Sequence, residues 1–224
     1  MLVSLKEILN IAQAKKIAIG SFNTPNLESL QAILGAAEEL NQPVIIMHAQ
    51  LHEDIGVCKL DEIGPIMMYM AEKSTVPVCV HLDHGTDFSY VKKALDIGFT
   101  SVMFDGSEGD VEENIANTSL VVDLAARFGA SVEGEVGSMG ERADGYGDHH
   151  GESVYTDPML AQRFVKETIR RGIRKINYYS TTSKIAADVL SQKKYTQFHD
   201  AVNDAKAAIK NDVKNMIEVF TNVK

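Results

Sequence analysis

The segment PVCVHLDHG (77–85) sets three ionisable side chains, His81, Asp83 and His84, within four positions. On a parallel strand side chains alternate, so His81 and Asp83 share one face, Val80 and Leu82 take the other, and His84 opens the loop at the carboxyl end. Barrel enzymes carry their sites at that end. A lone His and Asp there read equally well as a hydrogen-bonded strand end, but this crowding is costly unless something uses it. A second cluster, Glu133 and Glu135 in SVEGEVG (131–137), again falls on one face at the end of a predicted strand, with Gly134 and Gly137 admitting close backbone approach. Two like charges facing one interior repel, so either a cation lies among them or one carboxylate keeps its proton. Pairing with lysines of adjacent strands is the alternative, and the acidic balance of the chain fits it poorly. His84 and Glu135 suit a divalent metal, although zinc takes three protein ligands plus an open position, so two leave the set incomplete.

These residues need a framework that brings strand ends together. Short β-branched runs predict strands at Ile17–Phe22, Pro43–His48, Pro77–Asp83, Thr100–Asp105, Ser131–Val136 and Ile173–Tyr178. Between them, apolar residues at i, i+3, i+4 spacing predict helices at Leu27–Leu40, Leu60–Lys73, Tyr90–Ile97, Glu112–Phe128 and Pro158–Arg171, the last opened by Asp157 as N-cap and Pro158 in the first turn. Strands alternating with helices are the sequence form of βα units around a parallel sheet. Six units are visible, whereas an eight-stranded barrel averages ~30 residues per unit, so two units or ~60 residues are absent relative to a complete barrel. The remainder carries a helical turn at Ser183–Leu190 and an amphipathic Ala201–Phe220 helix with Ile209, Val213, Ile217 and Phe220 on one face, a terminal covering helix. Residues 1–224 read as one domain.

Composition narrows the function classes. With 22 Lys and Arg against 31 Asp and Glu, the net charge of -9 disfavours nucleic-acid and anionic-membrane surfaces, and an anionic substrate needs a local positive site. The longest apolar runs fall far short of the ~20 residues of a membrane span, and the first residues do not read as a signal peptide, which together place the protein in the cytoplasm. Cys58 and Cys79 form no spaced metal or redox motif and read as inert packing residues, as do Met67, Met68 and Met70.

GSFNTPNLES after the first strand, PVCVHLDHG at the third, SVMFDGSE at the fourth, VEGEVGSMG at the fifth, YTDP before a helix and KINYYST at the last strand occur in one order. From Ser4 to about Leu190 the chain thereby resembles the class II fructose- or tagatose-bisphosphate aldolase family. The resemblance implies an α/β (β/α)8 TIM barrel that cleaves a ketose 1,6-bisphosphate with Zn²⁺, with a monovalent cation, Na⁺ or K⁺, near the phosphate. It implies Asp83 as the catalytic acid/base, His84 as the first zinc-binding histidine and Glu135 as a carboxylate near the metal, sometimes a ligand. Asn177 and Ser180 match positions that contact substrate and its phosphate, and Asn23 matches another substrate-facing position. Turn capping for Asn177 and Ser180, and an Asx turn for Asn23, stay open beside those roles. Asp105 in the DGS stretch reads as a supporting residue. The polar loop ERADGYGDHHGE (141–152) matches a flap that closes on substrate, and its His149 and His150 read as solvated rather than as ligands. The resemblance further implies a phosphosugar substrate and a homodimer or homotetramer.

The chain departs from the family in two places. The histidines expected after the sixth strand, in G-x-x-H-G, and after the seventh, in H-G-G-S-G, are missing. FVKET (164–168) runs straight into IRRGIRKINYYS (169–180), as though the fifth helix were joined to the end of the seventh, with the helical register kept. Either two units are truly deleted or the sequence omits units that the protein carries; unpaired strand edges and bare helix faces favour omission. Ala49 stands where the family often has serine. Two rivals to the aldolase reading follow: a catalytically inactive barrel that binds a sugar phosphate or serves as an assembly subunit, and a metal-dependent phosphosugar isomerase or hydrolase.

Overall fold

The computed structural model describes residues 1–107, 109–135 and 158–222. In chain order the elements are α1 (Leu5–Lys15), β1 (Ile19–Asn23), α2 (Leu27–Leu40), β2 (Val44–Ala49), α3 (Gln50–Asp54), α4 (Leu60–Lys73), β3 (Val78–Gly85), α5 (Phe88–Ile97), β4 (Ser101–Phe104), α6 (Val111–Ala126), β5 (Ser131–Gly134), α7 (Pro158–Arg171), β6 (Lys175–Tyr178), α8 (Ser180–Gln192) and α9 (Phe198–Thr221). The six strands form one parallel sheet in the order β5-β4-β3-β2-β1-β6. The last strand therefore lies beside the first, as barrel closure requires, but β5 and β6 have no strand between them among the described residues. The sheet is a half-barrel. The six expected strands are present, and among the described residues they do not close into an eight-stranded barrel, since closure needs a paired neighbour on both edges of every strand.

Residues Ile45, Met47 and Ala49 pair with Cys79, His81 and Asp83, which puts these six on one face. That inner face is apolar at its amino end, where Leu5, Ile8 and Ala12 of α1 pack with Ile19, Ile45, Met47 and Cys79. Helix α1 starts with a capping box between Ser4 and Glu7, an S-x-x-E signal legible in the sequence but passed over there. It seals one end of the interior. Residues of the opposite face, including Val44, Ile46, Val78, Val80, Leu82 and Val102, pack on the helices in the main core, and α9 buries Ile209, Val213, Ile217 and Phe220 in that core. Helix α7 runs unbroken through Thr168 and Ile169, the place where the motifs jump, with Ile169 buried. Helix α6, by contrast, leaves Val111, Ile115 and Val122 exposed at i, i+4, i+11 spacing, one apolar face without cover among the described residues. Asp157 and the loop carrying His149 and His150 lie outside the described residues.

A partly buried polar chain ties β2 to the helices. His48 Nε2 meets the Tyr90 hydroxyl at 3.0 Å, and that hydroxyl donates to Glu53 Oε2 at 2.9 Å. Glu53 also accepts the Leu60 amide at 2.8 Å, holding the first turn of α4. Burial, reinforced by the neighbouring His52, pushes His48 down to about 4 from its ordinary 6.5. The unfolded chain thus takes up this proton below about pH 6.5 while the folded chain refuses it until about pH 4, so stability is lost as pH falls through that window. His48→Gln should flatten part of the slope of unfolding free energy against pH between 6.5 and 4, measured by urea unfolding at a series of pH values.

Candidate active site

Strict alternation along β3 turns Asp83 inward and would send His84 out toward the helices. The structure does otherwise. The pairing of β3 with β4 shifts register between Leu82 and Gly85, and His84 takes the left-handed conformation at φ 48°. That conformation costs a non-glycine residue about 1–3 kcal/mol, and a hydrogen bond to a charged group returns about 1.5–3 kcal/mol. The bond is present: His84 Nδ1 lies 2.6 Å from Asp105 Oδ2. Gly85 completes the bulge, since a Cβ there would come within 2.8 Å of the Met103 carbonyl.

His84 Nδ1 also lies 3.6 Å from Glu135 Oε2, and one donor atom from each of His84, Asp105 and Glu135 falls within 4.8 Å of the others. An ionised carboxylate only accepts, so Nδ1 carries the proton toward Asp105, and Nε2 is the ring nitrogen available to a metal. Burial works against charge on Asp105, but hydrogen bonds from the Ser107 hydroxyl, from His84 and from the Ser107 amide outweigh it and hold the carboxyl below its usual range. The donor set fits a divalent cation: an imidazole with a free nitrogen, oriented through its other nitrogen by a carboxylate that stays ionised, and a second carboxylate beside it.

Asp83 is buried, and Asn23 Nδ2 donates to its Oδ2 at 3.0 Å. Its Oδ1 is also buried and has no hydrogen-bond partner among the described residues. A buried carboxylate oxygen in that condition marks where an incoming group can exchange a proton. Asn23 ends β1 rather than entering a loop, so the Asx turn gives way to a hold on Asp83. Ala49 pairs with Asp83 in the sheet and brings no polar atom to it.

The structure therefore gathers Asn23 with Asp83, and His84 with Asp105 and Glu135. Asn177 sits on β6 opposite Ser21 of β1, one inward position before Asn23. It is exposed, as is Ser180, the first residue of α8, so both lie at the rim. The expectation for Glu133 needs correcting. Lysine pairing, judged a poor fit to the acidic chain, is what occurs: Lys175 Nζ lies 2.9 Å from Glu133 Oε2. Net charge says nothing about a single lysine whose strand lands across the interior. His81 Nε2 faces the same carboxylate at 3.5 Å while Nδ1 meets Ser101 Oγ at 2.8 Å. Burial, then the nearby Lys175 and His84, push His81 well below its ordinary range and keep it neutral. Lys175 was missed in the sequence, although period-two alternation puts it on the face of Asn177.

A parallel α/β half-barrel sheet with an imidazole–carboxylate cluster at its carboxyl edge is the arrangement of the barrel class of proteins, which carry their sites at that end. Residues 3–169 match the sequence model of the family described as class II fructose-bisphosphate aldolase, and the chain belongs to that family. The match ends where the motifs jump. Over 170 residues the chain is 45% identical to a probable fructose-bisphosphate aldolase of Bacillus subtilis (strain 168), covering 75% of this chain and 58% of that protein. A 6-phospho-5-dehydro-2-deoxy-D-gluconate aldolase of the same organism is 43% identical over 169 residues, covering 74% of this chain and 57% of that one. The chain thus spans under two thirds of the length of these relatives. Among solved structures, the YdjI aldolase of Escherichia coli K12 superposes with a TM-score of 0.84 at 26% identity, covering 98% of this chain and 97% of the other.

If the His84, Asp105 and Glu135 group holds a cation, Asp105→Asn should weaken Zn²⁺ or Co²⁺ binding by about 10- to 100-fold, read by isothermal titration calorimetry. Equal affinities in the two proteins would remove Asp105 from the site.

Proposed function

We propose that the protein is a class II ketose-bisphosphate aldolase that cleaves fructose 1,6-bisphosphate or tagatose 1,6-bisphosphate to dihydroxyacetone phosphate and glyceraldehyde 3-phosphate. The observation that carries this reading is the bulge at the end of β3, where Asp83, its Oδ1 buried and unpartnered among the described residues, is followed directly by His84 of the His84–Asp105–Glu135 group. His84 and Glu135, with Asp105 in support, would hold a divalent cation, Zn²⁺ in this reading, which when bound supplies Lewis-acid stabilisation of charge developing on the substrate carbonyl.

The chain's own residues do the rest. Asn23 fixes Oδ2 of Asp83, so Oδ1 is the atom left to accept the hydroxyl proton from the carbon that becomes the aldehyde as the carbon–carbon bond breaks. The bonding pair stays with the dihydroxyacetone phosphate half as its enediolate, which takes up one proton on carbon to leave as dihydroxyacetone phosphate, while Asp83 gives up the proton it accepted; condensation runs these transfers in reverse. Asn177, on β6, and Ser180, at the start of α8, bind substrate oxygens and the phosphate, with Na⁺ or K⁺ beside it. The B. subtilis relative named for a phosphorylated keto acid adds that compound to the substrates worth assaying.

The complete form in this reading is a (β/α)8 barrel of one domain in which β6 is the eighth strand, assembled as a homodimer or homotetramer in the cytoplasm. Among the described residues no helix is long and apolar enough to cross a membrane.

Cleavage should be followed by coupled reduction of the triose phosphates. Chelator should abolish it and Zn²⁺ restore it, and Asp83→Ala should lose turnover while binding Zn²⁺ as the parent does. Cleavage that ignores chelator would end the metal-dependent reading.

A second reading, an inactive barrel that binds a sugar phosphate or serves in an assembly, is favoured by the 58% span of the first relative and by the open edge between β5 and β6. Intact mass of the protein isolated from its source separates the two. A mass greater than 24.6 kDa by ~60 residues is expected for the active aldolase, and 24.6 kDa itself supports the inactive barrel.

A further inference from the structure

Lys175 sits between two acceptors. Its Nζ donates to Glu133 Oε1 at 3.0 Å and to Asn177 Oδ1 at 2.7 Å. Glu133 Oε2, 2.9 Å away, completes the ion pair, and the lysine side chain is only 14% exposed.

The consequence falls on Asn177. An ammonium can only donate, so it dictates which end of the Asn177 amide faces it: Oδ1 turns to Lys175, and Nδ2 with its two N–H groups turns away. Without that contact the amide of an exposed asparagine has no reason to prefer either orientation, and half of its settings would present an acceptor where an anionic ligand needs a donor. Glu133, itself faced by the neutral His81 anchored on Ser101, keeps the ammonium in place from the opposite sheet edge. We propose that Lys175 is a positioning residue that aims the Asn177 amide donors at an oxygen of the bound substrate. Only the identity of that ligand, a phosphorylated ketose or its triose half, rests on the aldolase reading.

The test uses the full chain with Asn177→Ala, Lys175→Arg, and Lys175→Met combined with Glu133→Gln, the last removing both charges together so that no buried carboxylate is stranded. The side-chain amide resonance of Asn177, identified by its loss in Asn177→Ala, should move in the Lys175→Met/Glu133→Gln protein and return toward its original position in Lys175→Arg. Dihydroxyacetone phosphate, titrated in parallel, should bind about 10-fold more weakly to the Lys175→Met/Glu133→Gln protein, as for loss of one good hydrogen bond. Adding Asn177→Ala to that protein should cost nothing beyond what Asn177→Ala costs alone, because both act through one contact. An unmoved amide resonance, or losses that add, would overturn the inference and leave Lys175 as a clamp between sheet edges. A resonance that moves in a protein that does not bind dihydroxyacetone phosphate would uphold the positioning contact and defeat the aldolase reading.

Discussion

The site depends on a break in a strand. Between Leu82 and Gly85 the third strand leaves register with the fourth, and the hydrogen bond from His84 Nδ1 to Asp105 holds the left-handed turn in place. The strain and the bond are of similar size, each on the order of 1–3 kcal/mol, so neither side wins by much. What tips the balance is local fit: Gly85 lets the bulge approach the Met103 carbonyl, and Asp105 is kept ionised by Ser107. Without the bulge, strict alternation would send Asp83 and His84 to opposite faces of the sheet.

Around that point the half-barrel divides labour between its ends. The amino end of the interior is apolar and plugged by α1, while the carboxyl end collects Asn23, Asp83, His84, Asp105 and Glu135. Between them lies a polar middle layer, Ser101, His81, Glu133 and Lys175, in which one lysine balances a carboxylate from the far side of the opening. Lys175 belongs to β6 and Glu133 to β5, the two strands that lack an outer neighbour among the described residues. Their ion pair spans the gap in the sheet by side chains where backbone hydrogen bonds do not.

The gap also accounts for the apolar face of α6. A helix between two βα units normally buries residues against the next helix, and Val111, Ile115 and Val122 have none beside them among the described residues. Helix α7 instead continues through Thr168 and Ile169 into the segment that delivers β6 to β1. A helix can be shortened and rejoined in register without losing its backbone bonds, whereas the sheet cannot lose strands without leaving edges. The junction is therefore silent in the helix and conspicuous in the sheet.

Much of this was legible in the sequence, because period two and period 3.6 are local properties. They located all six strands to within a few residues, bounded α2, α4 and α7 as observed, and put His81 with Asp83 on one face. Ordered motifs were enough to identify the family, because residue types at fixed places in successive units leave few alternatives. What alternation could not foresee is where alternation fails: the turn that brings His84 back beside Asp83 is set by Gly85, Met103 and Asp105 across two strands. Nor could it pair Glu133 with Lys175, 42 positions apart, since which charges meet is decided by the strand order that puts β6 against β1. Residue types and their periods determined the elements and the chemistry on offer, and only tertiary contact decided which side chains share it.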